Sequence, residues 1–329
     1  MLLNPDLPPA DARPPATKRV RSNLRLRVIW GTVAAALLIG CTYGGPISFG
    51  LFFAAVQAVM LKEFYRIMRA NGYRPASWIG AVIGILIFGY LHLFTGFFHY
   101  AQLFGWQTGW TIYPPLSALP QVSPGTVSPW MVMVQETSYF LVAAGALLMV
   151  ILLIREIIRW PNHGKPFLNL AATLAGLFYV SLPMGLLNAL AFDQKGYDAR
   201  HVFCLIILVW AADTGAYFAG KNFGKHKLAP SISPGKTWEG WAGGALLALI
   251  TGWAFGQFVP DIPLTHRLVA AGVVAVFGPL GDLAESMLKR SAGVKDSGTF
   301  LPGHGGLLDR FDAFLLVLPV LVLLQLLAG

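Results

Sequence analysis

Between Glu285 and Asp312 the chain reads E-S-M-L-K-R-S-A-G-V-K-D-S-G-T-F-L-P-G-H-G-G-L-L-D-R-F-D. Carboxylates, amines, one histidine and several glycines are crowded together there. Asp282, just upstream, and Glu285, Asp309 and Asp312 are oxygen donors of the kind a hard divalent cation takes; Mg²⁺ favours one or two carboxylates with phosphates and water completing its octahedron. Lys289, Arg290, Lys295 and Arg310 supply charge where phosphoryl oxygens would lie. Glycines let backbone N–H groups approach an anion closely. The combination suggests phosphate chemistry assisted by a metal. A structural cluster of ion pairs among the same acids and bases is the alternative.

The rest of the chain makes that concentration unusual. Hydrophobic residues form 56% of it and charged residues only 12%. The mean hydropathy is +0.62. Apolar runs of about 20 residues predict an all-α, polytopic integral membrane protein. Strict apolar–polar alternation is absent, which argues against a β-barrel. Ionisable groups near lipid cost roughly 2.5–3.5 kcal/mol each on insertion scales, so a cluster of them points to function. Cys41 and Cys204 lie singly in apolar runs and form neither a metal-ligand spacing nor a disulfide framework.

About nine spans are expected, near 28–44, 47–67, 77–98, 130–154, 168–190, 201–219, 238–258, 267–288 and 307–327. With a cytoplasmic N-terminus, 21 of the 24 Lys and Arg residues fall on the inner side, and only Lys195, Arg200 and Arg267 fall outside. The positive-inside rule therefore favours the N-terminus in and the C-terminus out. The same partition accounts for the net charge of +9 without nucleic acid as a partner. Residues 1–27, rich in Pro and Arg, read as a disordered basic cytoplasmic tail. The run from Val28 to Tyr43, with Leu38-Ile39-Gly40-Cys41 inside it, imitates a secretory signal, but it reads as a retained helix. Spans in 28–200 form an N-terminal membrane region and 201–329 a catalytic one. The stretch from His99 to Pro129 has no Lys or Arg and is rich in Trp, Tyr and Pro, as suits an outer loop at headgroup level. Glu136, alone in the fourth span, reads as a structural carboxyl.

This topology delivers three charged regions to the cytoplasmic face: Asp213 with the loop Gly220 to Gly240, then Asp282–Lys289, then His304–Asp312. Asp282, Glu285 and Lys289 share one helical face at i, i+3 and i+7, and Asp309 and Asp312 repeat the i, i+3 spacing on the next helix. His304, Gly305 and Gly306 lie in the joining loop, where His304 reads equally as a phosphate donor or a turn residue. The first loop carries Lys225, Lys227, Ser233, Lys236 and Thr237, a basic and hydroxyl-bearing set suited to an anionic nucleotide. Its Gly235-Lys236-Thr237 lacks the spacing and the preceding strand of a Walker motif.

Ser286-x-x-Lys289-Arg290, Lys295-Asp296 and His304-Gly305-Gly306-x-x-Asp309-Arg310-x-Asp312 together resemble the signature of the phosphatidate cytidylyltransferases, or CDP-diacylglycerol synthases. The segments Asp213–Phe218 and Ser233–Gly240 are similar to upstream blocks of that family. The likeness covers about the C-terminal 120 residues. It implies that CTP and phosphatidate in the membrane give CDP-diacylglycerol and pyrophosphate. It implies Mg²⁺ with a second cation at acids matching Asp282 and Asp309, with Glu285 and Asp312 as further candidate ligands. It also implies a homodimer, and a bacterial plasma membrane fits. Catalysis would fall to Asp282, Asp309, Lys289, Arg290, Lys295 and Arg310. Substrate binding would fall to Asp213, Lys225, Lys227, Ser233, Lys236, Thr237, His304, Gly305 and Gly306.

Two other classes compete. A CTP-dependent polyprenol kinase would have to activate a neutral hydroxyl and would need a base such as His304 or Asp296. An anion transporter would need charges near the midplane and a path through both faces.

Overall fold

The computed structural model describes residues 24–105, 129–193, 196–300 and 305–328. Most of the tail at 1–27, most of the expected outer loop at 99–129, the side chain of Glu136, and His304 lie outside the described residues. The elements in order are α1 (Leu24–Tyr43), α2 (Pro46–Ala70), α3 (Ser77–Thr95), the short α4 (Phe97–Leu103), α5 (Pro129–Ile158), α6 (Pro166–Gly176) and α7 (Leu182–Ala191). They continue with strands β1 (Phe192–Asp193) and β2 (Gly196–Tyr197), α8 (Ala199–Phe223), strands β3 (Lys227–Ala229) and β4 (Ser233–Thr237), α9 (Trp238–Ala254), α10 (Leu264–Ser291) and α11 (Leu308–Ala328). Helix α1 starts at Leu24, so the last residues assigned to the tail are helical.

Every expected span is occupied by helix, and seven helical segments among the described residues are long and apolar enough to cross a membrane. The remaining two are shorter: the apolar part of α1 is Val28–Tyr43, and α9 has 17 residues. The only strands described form two antiparallel two-stranded hairpins, β1–β2 and β3–β4. The chain is thus an all-α membrane protein. Helix α5 turns most of its apolar surface outward, as a lipid-facing helix would.

Helix α2 is central. Phe49, Phe53, Met60, Leu61 and Tyr65 are buried along it, packed with residues of α7, α8 and α11. Its buried donors find partners: Gln57 Nε2 donates to the Gly84 carbonyl at 2.7 Å, and the Tyr65 hydroxyl to the Thr173 carbonyl at 2.9 Å. Hydrocarbon offers no water to satisfy such groups, so pairing inside the bundle is obligatory. Between α6 and α7 the helix widens into a π turn at Leu177–Ser181. Pro183 follows and has no N–H to give the carbonyl four residues back, which removes one α-helical bond there.

Prolines are handled in the same way near the site. Pro279 stands inside α10, so the Ala275 carbonyl loses its helical donor. The Trp241 indole N–H of α9 takes that place at 2.9 Å. Helix starts are capped where the chain enters from a strand or turn. Asp198 caps α8 by accepting from Arg200 N, and Thr237 caps α9 by accepting from Gly240 N at 3.1 Å. Hydrogen bonds from the Arg200 side chain hold the Asp198 carboxyl below its ordinary range, and Arg200 also reaches Asp261 at 2.8 Å.

Candidate active site

The C-terminal part of α10 and the N-terminal end of α11 meet closely. A Cβ at Gly281 would lie 2.5 Å from the Asp312 carbonyl, so only glycine allows this approach. The result is a cluster of three acids. Ligand oxygens from Asp282, Glu285 and Asp312 all lie within 4.8 Å of one another. Glu285 is fully buried; Lys289 Nζ lies 2.5 Å from its Oε2, and its carboxyl also contacts that of Asp309. Ser286 leans on Asp282, with 3.3 Å between Oγ and Oδ1. Three carboxylates, one of them fully buried, make a donor set that fits a hard divalent cation.

Basic residues flank the acids on both sides. Lys236, on β4, puts its ammonium 2.6 Å from Asp282 Oδ2. Lys289, one turn beyond Glu285 on α10, bonds Asp309 Oδ1 at 2.6 Å. Asp213 of α8 interacts electrostatically with Asp282, Lys236 and Arg310. The expected convergence of α8, the β3–β4 hairpin, α10 and α11 is therefore realised in space.

Asp309 sits differently from Asp282. Its Oδ2 accepts from Ser297 N at 3.1 Å and Gly306 N at 3.0 Å and shares the single Ser297 hydroxyl proton, at 2.9 Å, with Glu63 Oε2, while Oδ1 takes Lys289. Its oxygens thus engage the joining loop and Lys289, and its carboxyl also contacts Glu285 of the acid cluster. Asp312, one turn further along α11, is the acid that meets Asp282. Gly305 adopts φ +84°, a left-handed conformation that suits glycine, and it turns the loop into α11.

The other expected residues are spread around this core. Arg290, Lys295 and Arg310 are exposed at the rim. Lys225 and Lys227 are exposed on the hairpin, and Ser233 is half-buried at the start of β4. Thr237 is buried, with its hydroxyl oxygen engaged in the α9 cap. The hairpin is fastened to α9 by Glu239, whose carboxylate accepts from Lys225 N and His226 N and lies 2.6 Å from His226 Nδ1.

Four residues were missed by sequence reasoning. Tyr179, on the π turn, buries a hydroxyl that has no hydrogen-bond partner among the described residues, and it interacts electrostatically with Glu285, Asp312 and Asp282. Glu63, Arg66 and Ser297 form a second buried polar group behind Asp309. The cost of a carboxylate at the end of an apolar span could have drawn attention to Glu63. Tyr179 carries no comparable signal, since an isolated tyrosine in an apolar run is commonplace.

A helical membrane bundle that gathers three acids between two lysines at the ends of its helices defines a membrane protein with a candidate phosphate-handling, cation-binding site. Residues 25–327 match the model of the cytidylyltransferase family, and the chain belongs to that family. Among curated proteins it is similar to the phosphatidate cytidylyltransferase of Bacillus subtilis, 46% identical over 160 residues, covering 48% of this chain and 57% of that protein. The enzyme of the same name from Staphylococcus saprophyticus is 43% identical over 159 residues, or 48% of this chain and 60% of the relative. That of Haemophilus influenzae is 41% identical over 177 residues, or 50% and 60%. The aligned part thus spans somewhat over half the length of these relatives.

Proposed function

We propose that this protein is a phosphatidate cytidylyltransferase, converting CTP and phosphatidate to CDP-diacylglycerol and pyrophosphate. Family membership and the names of the similar proteins support the reaction class. The observation that carries the reading is the placement of Asp282, Glu285 and Asp312 between the ammonium groups of Lys236 and Lys289. The lipid phosphate is already an anionic nucleophile, so no residue has to act as a base towards it. One of its oxygens bonds to the α-phosphorus of CTP while the bond from that phosphorus to the bridging oxygen breaks and pyrophosphate leaves. The chain's task is to bring two anions into line and offset their charge, which is where most of such a rate enhancement arises.

In this reading Lys236, Arg310 and the rim bases Arg290 and Lys295 hold phosphates of the two substrates. Lys289 is held between Glu285 and Asp309 by two ion pairs. Asp282, Glu285 and Asp312 would hold Mg²⁺, and Asp309 would orient Lys289 and the glycine-bearing loop; a second cation fits the same acidic region. Bound there, the ion would supply charge neutralisation at phosphoryl oxygens. The basic-residue partition supports nine crossings with the N-terminus and the site on the cytoplasmic side of a bacterial inner membrane. A homodimer accords with the family resemblance.

The test is incubation of purified protein in detergent with labelled CTP, phosphatidate and Mg²⁺. CDP-lipid with stoichiometric pyrophosphate is expected. Formation of CDP with a phosphorylated lipid, or no CTP turnover, would refute the reading.

A further inference from the structure

The inner end of α2 lies outside the motif-bearing half of the chain, yet it reaches the site. Glu63 is buried, at 6% exposure. Its Oε2 accepts the Leu308 N–H at 2.9 Å, where α11 begins, and stands 3.1 Å from Ser297 Oγ. Arg66, three residues further along α2, donates to the Ser297 carbonyl. One helix face thus holds Ser297 at both its side chain and its backbone. Ser297 in turn directs its N–H to Asp309 Oδ2, and its Oγ lies 2.9 Å from the same oxygen. Asp309 bonds Lys289, and Lys289 pairs with Glu285. The polar chain therefore runs from α2 through the joining loop to the three-acid cluster.

The glycines of the loop are shaped by the same carboxylate. A Cβ at Gly298 would lie 1.9 Å from Glu63 Oε1, and one at Gly306 would lie 2.5 Å from Glu63 Oε2. Two glycines of the motif region thus make room for an acid more than 230 residues earlier. A buried carboxylate in a membrane helix is costly unless its lone pairs are used, and here they are used on the loop and on the first turn of α11.

We infer that Glu63 is a positioning residue for the reaction proposed above: through Ser297 it sets Asp309 and Lys289, and Arg66 keeps Ser297 in place. Glu63 touches no reacting group itself. Its effect is on turnover through the geometry of Lys289, and on CTP affinity much less.

The test uses the full chain in detergent with the variants Glu63→Gln, Glu63→Ala, Gly298→Ala and the double variant Glu63→Ala/Gly298→Ala. Misplacing a catalytic group by about 1 Å can cost about 100-fold, so Glu63→Ala is expected to lower kcat by about that factor, with the KM for CTP changed no more than about threefold. Glu63→Gln keeps an acceptor oxygen and is expected to retain at least about a third of kcat. Gly298→Ala is expected to lose activity alone and to add little in the Glu63→Ala background, where its clash is gone. Hydrogen exchange across 292–308 reads the brace without activity: faster in Glu63→Ala, unchanged in Glu63→Gln. If the wild type transfers no cytidylyl group, the functional proposal fails while the exchange data still judge Glu63. The inference is overturned if exchange is unaltered in Glu63→Ala, or if the losses of Glu63→Ala and Gly298→Ala multiply. Glu63→Gln with native exchange but with kcat down by about 100-fold from wild type also overturns it, and this arm decides the matter should the alanine variant fail to fold.

Discussion

Lys236 Nζ lies 2.6 Å from Asp282 Oδ2 and 3.2 Å from the Pro279 carbonyl, so one ammonium on the β3–β4 hairpin is fixed by two groups of α10. The loop expected to seat a nucleotide is thereby bonded to an acid expected to hold a cation. In the proposed reading, a cation held by Asp282 and the ammonium of Lys236 would both draw on the same carboxylate, which would couple substrate and cation binding at this pair.

Lys236→Ala is expected to lower kcat/KM for CTP by roughly 10- to 150-fold, the range of a charge-assisted hydrogen bond worth about 1.5–3 kcal/mol. Removing the competing ammonium should leave the Mg²⁺ requirement unchanged or lower it. Kinetics with CTP, phosphatidate and Mg²⁺ varied separately check this. An unchanged KM for CTP with unchanged kcat would return Lys236 to a structural role.

Asp282→Asn and Asp312→Asn should each reduce turnover to less than about a tenth and also abolish stabilisation of the protein by Mn²⁺ in thermal unfolding, since a lost ligand to a catalytic cation removes several kcal/mol of stabilisation. Asp309→Asn should also reduce turnover, but it should keep most of the Mn²⁺ effect, because its oxygens serve Lys289, Ser297 and Gly306. Loss of the Mn²⁺ effect in Asp309→Asn with its retention in Asp312→Asn would move the cation to Asp309.

Trp241→Phe removes the N–H that replaces the one Pro279 lacks, and leaves the Ala275 carbonyl without that donor. A loss of about 1 kcal/mol is expected. In a Pro279→Ala background the helix regains an N–H for that carbonyl, and the effect of Trp241→Phe should shrink. Thermal unfolding of the four proteins in detergent measures the coupling, and additive losses would show that the indole bond does not substitute for the helical one.

Orientation can be checked with single cysteines in a chain from which Cys41 and Cys204 have been replaced. A cysteine at Pro260, exposed between α9 and α10, should react with a membrane-impermeant thiol reagent added to intact cells. One at His226, whose side chain is 79% exposed on the hairpin, should not. The opposite labelling would place the site on the outer side.

Much of this protein was written locally in its sequence. Runs of apolar residues must be helices in lipid, since no other open backbone satisfies its own polar groups there. Those runs predicted where every long helix lies, and the i, i+3 spacing put Asp282 beside Glu285 and Asp309 on the face of Asp312. The motif residues were legible because charge in an apolar chain is conspicuous. Tertiary structure decided which of them meet. Asp312 rather than Asp309 faces Asp282, because the close approach at Gly281 sets the register of α11 against α10, and a difference of one turn cannot be read from spacing. Lys236 found Asp282 only because the hairpin folds over α10. Glu63 was hidden for the same reason: its meaning lies in Ser297, Gly298 and Gly306, and contacts over such separations depend on how helices pack, which no local pattern encodes.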